Sequence, residues 1–211
     1  MTSRRCLRAL LATALVFAIP SVFGSGNSPE HSHPHAGVPE KFPEHPAVGE
    51  TASDFSLRDT EGKSMDLGEY LGRGYVVLAF GSASSSNFRK TAPELNRLVV
   101  DWERMEVKVL VVYTREAHPA ALRGKAPNNY GDRVLLARQT RKDLRLGLRF
   151  VVDGWDDPVH KSYGAMPDAA FLLDPKGSIV LRQVLALPTH LDRELRRLLN
   201  VPDPAPLQGR E

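Results

Sequence analysis

The chain has 211 residues, of which 42% are hydrophobic and 25% are charged, a composition that suits one globular domain with appendages. The formal net charge is +3, but three of the 28 basic residues are Arg4, Arg5 and Arg8, so the rest of the chain balances its 25 acidic residues. A neutral chain gives no electrostatic reason to expect a nucleic acid or an anionic membrane as partner, which leaves a small molecule or a protein.

The first 24 residues have the order of an export signal. Basic residues precede the apolar run Ala9–Ile19, Pro20 ends that run, and residues 22–24 offer a cleavage position. The run is short for a membrane span, although a retained N-terminal anchor is the alternative. We expect an exported protein, periplasmic or secreted, with no membrane span after cleavage.

Cys6 is the only cysteine in the sequence, and it would leave with the signal. The mature chain would then contain no thiol and no disulfide, which excludes thiolate chemistry and cysteine–metal sites. We expect no cofactor.

A linker rich in Pro and His follows at residues 25–47. In it, His31, His33 and His35 alternate, and neutral imidazoles bind Zn²⁺ or Cu²⁺. A solvated polar tail is the alternative to a metal site, because the spacing matches no structural zinc pattern.

Residues 48–72 predict a β-hairpin at the start of a domain that spans residues 48–200. Phe55 and Leu57 alternate on its first strand, and Gly62 can take positive φ in the turn.

A strand, a turn and a helix follow the hairpin. The apolar run Tyr75–Phe80 predicts a buried strand, residues 81–86 are a small-residue turn, and apolar spacing predicts a helix over about 87–103. Free N–H groups at such a helix start can hold an anion or activate a nucleophile. The turn contains Ser84 and Ser85, which are therefore candidate site residues.

The apolar run Val107–Tyr113 predicts a second strand, parallel to the first, in a right-handed βαβ unit. Glu116 and His118 follow at its carboxyl end, where α/β folds place their sites. Further on, residues 134–136 predict a short strand and residues 140–146 a short basic helix. For the basic residues there, Arg138, Arg141, Lys142 and Arg145, we favour a solvated face over an anion site.

The remaining elements complete an α/β fold with a central mixed sheet flanked by helices. Strands are predicted at residues 149–152, 169–173 and 178–182. A helix is predicted over 189–199 with Thr189 as N-cap, before a disordered tail at 201–211.

Three segments carry a family resemblance: FGSASSSNF at 80–88, VYTREAHP at 112–119, and VVDG at 151–154 together with YGAMP at 163–167. They resemble iodothyronine deiodinases and their bacterial relatives, a redoxin branch of the thioredoxin-fold superfamily. The corresponding family segments are F-G-S-C-T before selenocysteine or cysteine, V-Y-x-x-E-A-H, and V-V-D with Y-G-A-x-P. The resemblance covers about residues 48–182 and implies a thioredoxin-like fold with an N-terminal β-hairpin extension.

The resemblance also implies roles for individual residues. Ser85 takes the chalcogen position, preceded by Ser84, while Glu116 and His118 match the pair that positions and protonates substrate. Met166 and Pro167 would form the peptide bond, cis in thioredoxin folds, that faces this turn.

The chain also departs from the family pattern at three further places, of which the first is the Pro-Pro pair after the nucleophile, replaced here by Ser86 and Asn87. Ala83 stands where a nearby cysteine is usual, and the second family histidine, expected near Arg138 and Gln139, is missing.

Serine changes the expected chemistry. A hydroxyl is a poor nucleophile without an adjacent base, and it cannot form sulfenyl or mixed-disulfide intermediates. We therefore interpret the chain as an exported, oxidoreductase-like protein with a degenerate active site that has lost thiol redox catalysis and retains a binding role. The alternatives are an active oxidoreductase of this family, a Ser–His hydrolase with His118 as base, and a metal-binding protein that uses the linker.

Overall fold

A computed structural model describes residues 46–164 and 166–204. The predicted export signal, nearly all of the linker and the end of the tail lie outside these residues. No helix in the described part of the chain is long and apolar enough to span a bilayer.

Within the described residues, seven strands form one mixed sheet in the order β2-β1-β5-β4-β3-β6-β7. The strands are β1 (Ser56–Asp59), β2 (Ser64–Asp66), β3 (Val76–Gly81), β4 (Lys108–Tyr113), β5 (Arg149–Val152), β6 (Ala170–Leu173) and β7 (Ile179–Gln183). The α-helices are α1 (Ser86–Trp102), α2 (Tyr130–Asp143), α3 (Pro158–Ser162) and α4 (Pro188–Leu199). The predicted mixed sheet with flanking helices and an N-terminal hairpin is confirmed.

Strand β3 is the centre of the sheet, and all six of its residues are buried. It pairs in parallel with β4 and antiparallel with β6. Because successive side chains point to opposite faces, Val77 and Ala79 enter one apolar core while Leu78 and Phe80 enter the other. The turn after β3 therefore starts from a strand that is held on both edges and both faces.

Helix α1 covers one face of the sheet with an apolar stripe. Phe88, Ala92 and Leu95 are buried at helical spacing. At the other end of the helix, Trp102 Nε1 donates to Asp192 Oδ1 at 2.8 Å, which ties α1 to α4.

The hairpin joins the sheet where β1 pairs with β5, and a partly buried ion pair reinforces this contact. Arg149 donates from Nε at 3.1 Å and from Nη2 at 2.9 Å to Asp59 Oδ2. Burial opposes ionisation of Asp59, but bonds from the Lys63 N–H and from Arg149 outweigh it, so the pKa of Asp59 lies below its ordinary value.

The predicted short strand at residues 134–136 is wrong. These residues lie inside α2, which also absorbs the start of the basic helix predicted at 140–146. Arg133, Ala137 and Thr140 form the buried face, and two of the three are polar, so apolar periodicity does not show the helix.

The predicted N-cap at Thr189 is also wrong. Leu187 occupies the N-cap of α4 with no side-chain bond, and Pro188 takes the first helical position. Pro suits that position because its missing N–H has no partner within a helix.

Gly81 sets how closely α1 approaches the sheet. A β-carbon at this position would lie 2.2 Å from Cδ2 of the buried Phe88 ring. We expect Gly81→Ala to destabilise the fold by about 1–3 kcal/mol, because the ring and the start of α1 must move. Chemical denaturation with far-UV circular dichroism measures the loss.

The matched control is Gly68→Ala, at an exposed position where the nearest atom to a new β-carbon is 3.9 Å away. It should change the free energy of unfolding by less than about 0.5 kcal/mol. Equal losses in the two variants would show that close packing at Gly81 is not the cause.

Candidate functional site

Three loops meet at the edge of the sheet where β3 and β4 end. The register Gly81↔Tyr113 places residues 82–85 beside residues 114–118. Residues 166–169 arrive on the other side, and Phe80 N–H donates to Ala169 O at 2.8 Å. The carboxyl edge of parallel strands is where α/β folds place their sites.

Ser85 is the N-cap of α1, and both roles of its hydroxyl are taken. Its Oγ accepts the N–H of Phe88 at 3.1 Å and donates to Asp168 Oδ1 at 2.5 Å. The residue is only 2% exposed. Ser85 therefore caps the helix and also joins the start of α1 to the loop before β6.

Asp168 is a site residue that the sequence analysis missed. Burial raises the pKa of Asp168, while the bond from Ser85 and the charge of His118 offset part of that rise. A signal was present, because a carboxylate directly follows Pro167, the residue that the resemblance places against residues 82–85, the serine turn.

Glu116 is buried within a network of its own. It accepts the N–H of Ser84 on Oε2 at 2.7 Å and the hydroxyl of Tyr113 on Oε1 at 2.5 Å. Tyr113 in turn accepts the N–H of Ala83 at 3.0 Å. Burial raises the pKa of Tyr113 and the Glu116 carboxylate raises it further, so the phenol stays protonated as the donor.

His118 contributes its main chain to this network. Its N–H donates to Ser84 Oγ at 2.9 Å, and the N–H of Ala117 donates to Ser82 Oγ at 3.2 Å. The His118 side chain is exposed. The serine turn is thus fastened to the loop after β4 by side-chain bonds in both directions.

The structure describes two of the other predicted site residues, Met166 and Pro167, but not the three histidines of the linker. Met166 is buried in the apolar core that Leu78 and Phe80 enter, and Pro167 is half-buried next to Asp168. His31, His33 and His35 lie outside the described residues. Within residues 46–164 and 166–204, no group of three or more His, Cys, Asp or Glu side chains could hold a metal ion.

The hydrogen bonds of this site limit the reactions that its side chains can perform. The Ser85 oxygen is shielded from solvent and its proton is held by a carboxylate. The Glu116 carboxylate uses one oxygen for Ser84 and the other for Tyr113, so it positions the turn. Solvent reaches the exposed His118, and it partly reaches the half-buried Pro167 and Asp168.

Comparison with protein families gives one clear match. The model of the AhpC/TSA family matches residues 48–182. A thiol-disulfide oxidoreductase ResA from Geobacillus thermodenitrificans is 29% identical over 134 residues, which cover 63% of this chain and 67% of that protein.

Solved structures with the same fold include a thiol:disulfide interchange protein from Bacteroides sp., with a TM-score of 0.58 and 21% identity over 73% of this chain and 91% of that one. Peroxidoxin BcpB from Mycobacterium tuberculosis matches with a TM-score of 0.55 and 19% identity over 74% of this chain and 98% of that one. These likenesses confirm the predicted thioredoxin-like fold.

The Tyr113 hydroxyl should contribute measurably to stability. Tyr113→Phe leaves the buried Glu116 Oε1 and Ala83 N–H without partners, and an unsatisfied buried group costs about 1–3 kcal/mol. We expect a loss within or above that range in urea denaturation.

Tyr163→Phe is the control, because Tyr163 is equally buried but donates to one neutral acceptor, Ser53 O. Its loss should be smaller, about 1 kcal/mol. A loss for Tyr163→Phe as large as that for Tyr113→Phe would argue against a strong Tyr113–Glu116 bond.

Proposed function

We propose that this chain, which belongs to the AhpC/TSA family of thioredoxin-fold proteins, has lost thiol redox catalysis and keeps a binding role beside the serine turn. The family match and the thiol-disulfide oxidoreductase relative support a redox ancestry. The observation that carries the proposal is the occupied hydroxyl of Ser85 at the start of α1.

A serine at this position cannot pass electrons. Sulfenic acids and mixed disulfides require sulfur, and the oxygen of Ser85 has no equivalent reversible oxidation. Cys6 is the only cysteine in the sequence and lies outside the family match at residues 48–182, so no other thiol within that match can take over.

Hydrolysis through Ser85 is not supported either. A Ser–His–Asp arrangement needs an imidazole between the serine and the carboxylate. Here Ser85 donates directly to Asp168, and in the described part of the chain the bond from His118 to the turn comes from its main-chain N–H. A carboxylate at this place holds the serine proton but is too weak a base to remove it.

Within the family we place the chain with the deiodinase-like proteins. The support is the Tyr113–Glu116–His118 element, whose Glu116 fixes the serine turn from inside. The exposed imidazole and the half-buried proline are the groups that we expect to contact a partner, either a small molecule or a protein. The ligand would meet His118 and Pro167 first.

We also propose that the protein is exported, because a basic segment, an apolar run and Pro20 precede the domain. Expression of the full chain in a bacterial host should yield periplasmic or secreted protein that has lost about 24 residues and reacts with no thiol reagent. Intact-mass measurement of each fraction tests this. A membrane-bound chain that still contains Cys6 would show a retained anchor instead.

The loss of catalysis is tested by restoring sulfur. The chain that begins at Ser25 is assayed with dithiothreitol against peroxide, a disulfide and an iodinated phenol, as wild type, Ser85→Ala, Ser85→Cys and Ser85→Cys/Asp168→Asn. We expect wild type to equal Ser85→Ala. The double variant should exceed Ser85→Cys by roughly tenfold at neutral pH, because the Asp168 carboxylate disfavours the thiolate.

The ionisation of the introduced thiol distinguishes an effect of Asp168 on the thiolate from a general change in activity. The pKa of the introduced thiol, measured by alkylation rate, should be higher with Asp168 than with asparagine there. Ser64→Cys, a thiol at an exposed position on β2, is the control and should stay inactive. Turnover by wild type that disappears in Ser85→Ala would overturn the proposal and show that the protein is an active enzyme.

A further inference from the structure

We propose that a cavity at the carboxyl end of α2, the α2 cavity, binds a small molecule with two or more negative charges of the phosphate type. Its volume is about 220 Å³, and it is lined by Glu61, Arg138, Arg141, Lys142, Arg145 and Leu146. The proposal does not depend on the serine turn.

After α2 the chain makes a sharp turn, which brings the basic side chains of the cavity close together. Arg145 takes a left-handed conformation with φ of 53°. Its N–H donates to Lys142 O, and the N–H of Leu146 donates to Arg141 O, both at 3.0 Å. The buried Leu146 anchors the turn, so Arg145 lies back against the end of the helix.

The cavity has more positive charge than its own acid can balance. Four cationic side chains face one carboxylate, and that carboxylate, on Glu61, pairs with Arg141 at 2.9 Å while remaining 57% exposed. Among the described residues, the side chains of Lys142 and Arg145 form no hydrogen bond or ion pair. Asp143 lies next in sequence to Lys142, but its carboxylate accepts from Gln139 outside the cavity lining.

Two of the guanidinium groups are already held in place. Arg138 donates from Nε to Thr60 O at 2.9 Å and from Nη2 to the same oxygen, while Arg141 donates from Nε to Leu146 O at 3.3 Å. Each keeps further N–H groups for a ligand, and the guanidinium fork matches phosphate oxygens. Fixed donors lose less entropy when they bind.

The helix dipole explains only part of this cluster. Cations are favourable in the last turn of a helix, which accounts for Arg141 and Lys142. However, Arg138 and Lys142 are like charges four residues apart, and such pairs destabilise an isolated helix. A bound anion would attract both cations and so offset that repulsion.

The α2 cavity lies at the opposite end of the sheet from Ser85. The Thr60 N–H donates to Phe150 O, so the turn after β1 borders the amino half of β5. The serine turn follows the carboxyl end of β3, which shares its direction with β4 and β5. A ligand here would leave the site at the serine turn open.

Calorimetric titration of the full protein with sodium pyrophosphate at low salt tests the proposal. We expect one site per chain. Lys142→Gln/Arg145→Gln should weaken binding by about tenfold or more, because charge-assisted hydrogen bonds are lost. The control Arg97→Gln/Arg104→Gln removes the same charge from exposed positions elsewhere and should bind like wild type.

Glu61→Gln tests the same cavity through an expected gain in affinity. It releases Arg141 from its ion pair and should tighten pyrophosphate binding about two- to fivefold. Vesicles of phosphatidylcholine with phosphatidic acid distinguish a lipid headgroup from a soluble phosphate: binding of both that is lost in Lys142→Gln/Arg145→Gln assigns the cavity to phosphate of either source. No binding by wild type, equal losses in both double variants, or no gain for Glu61→Gln would overturn the proposal.

Discussion

The hydrogen bond between Ser85 and Asp168 joins the two parts of the chain on which the site depends. It links the start of α1 to the loop before β6 across 83 positions in the sequence. The same hydroxyl caps the helix, so one oxygen stabilises a helix end and a loop contact together. Because Ser85 and Asp168 hold each other in this bond, the turn after β3 is part of the framework of the fold.

A second network fastens the same turn from the other side. The Glu116 carboxylate accepts from the N–H of Ser84 and from the hydroxyl of Tyr113. The same hydroxyl accepts from the N–H of Ala83. Buried networks of this kind stabilise a fold when every member has a partner. The serine turn is thus held in place by hydrogen bonds to the loop after β4.

The two proposed sites use opposite ends of one sheet and different chemistry. At the carboxyl edge, backbone and carboxylate groups satisfy one another, and His118 is exposed. At the other end, around the α2 cavity, positive charges are gathered without enough acid to balance them. Helix α2 packs against β5, and β5 pairs with β4, so the sheet connects the two ends.

The sequence alone determined the β3–turn–α1 unit, the hairpin, the βαβ connection and the serines of the turn after β3. These depend on local periodicity and on residues close together in the chain. Only the tertiary structure decided that Asp168 meets Ser85, that Tyr113 and Glu116 hold the turn, and that Arg145 folds back onto α2. Helix α2 was not recognised over its full length from the sequence, because its buried face contains the polar residues Arg133 and Thr140. Which residues far apart in sequence come into contact depends on the order of the strands. That order depends in turn on how both faces of the whole sheet are buried.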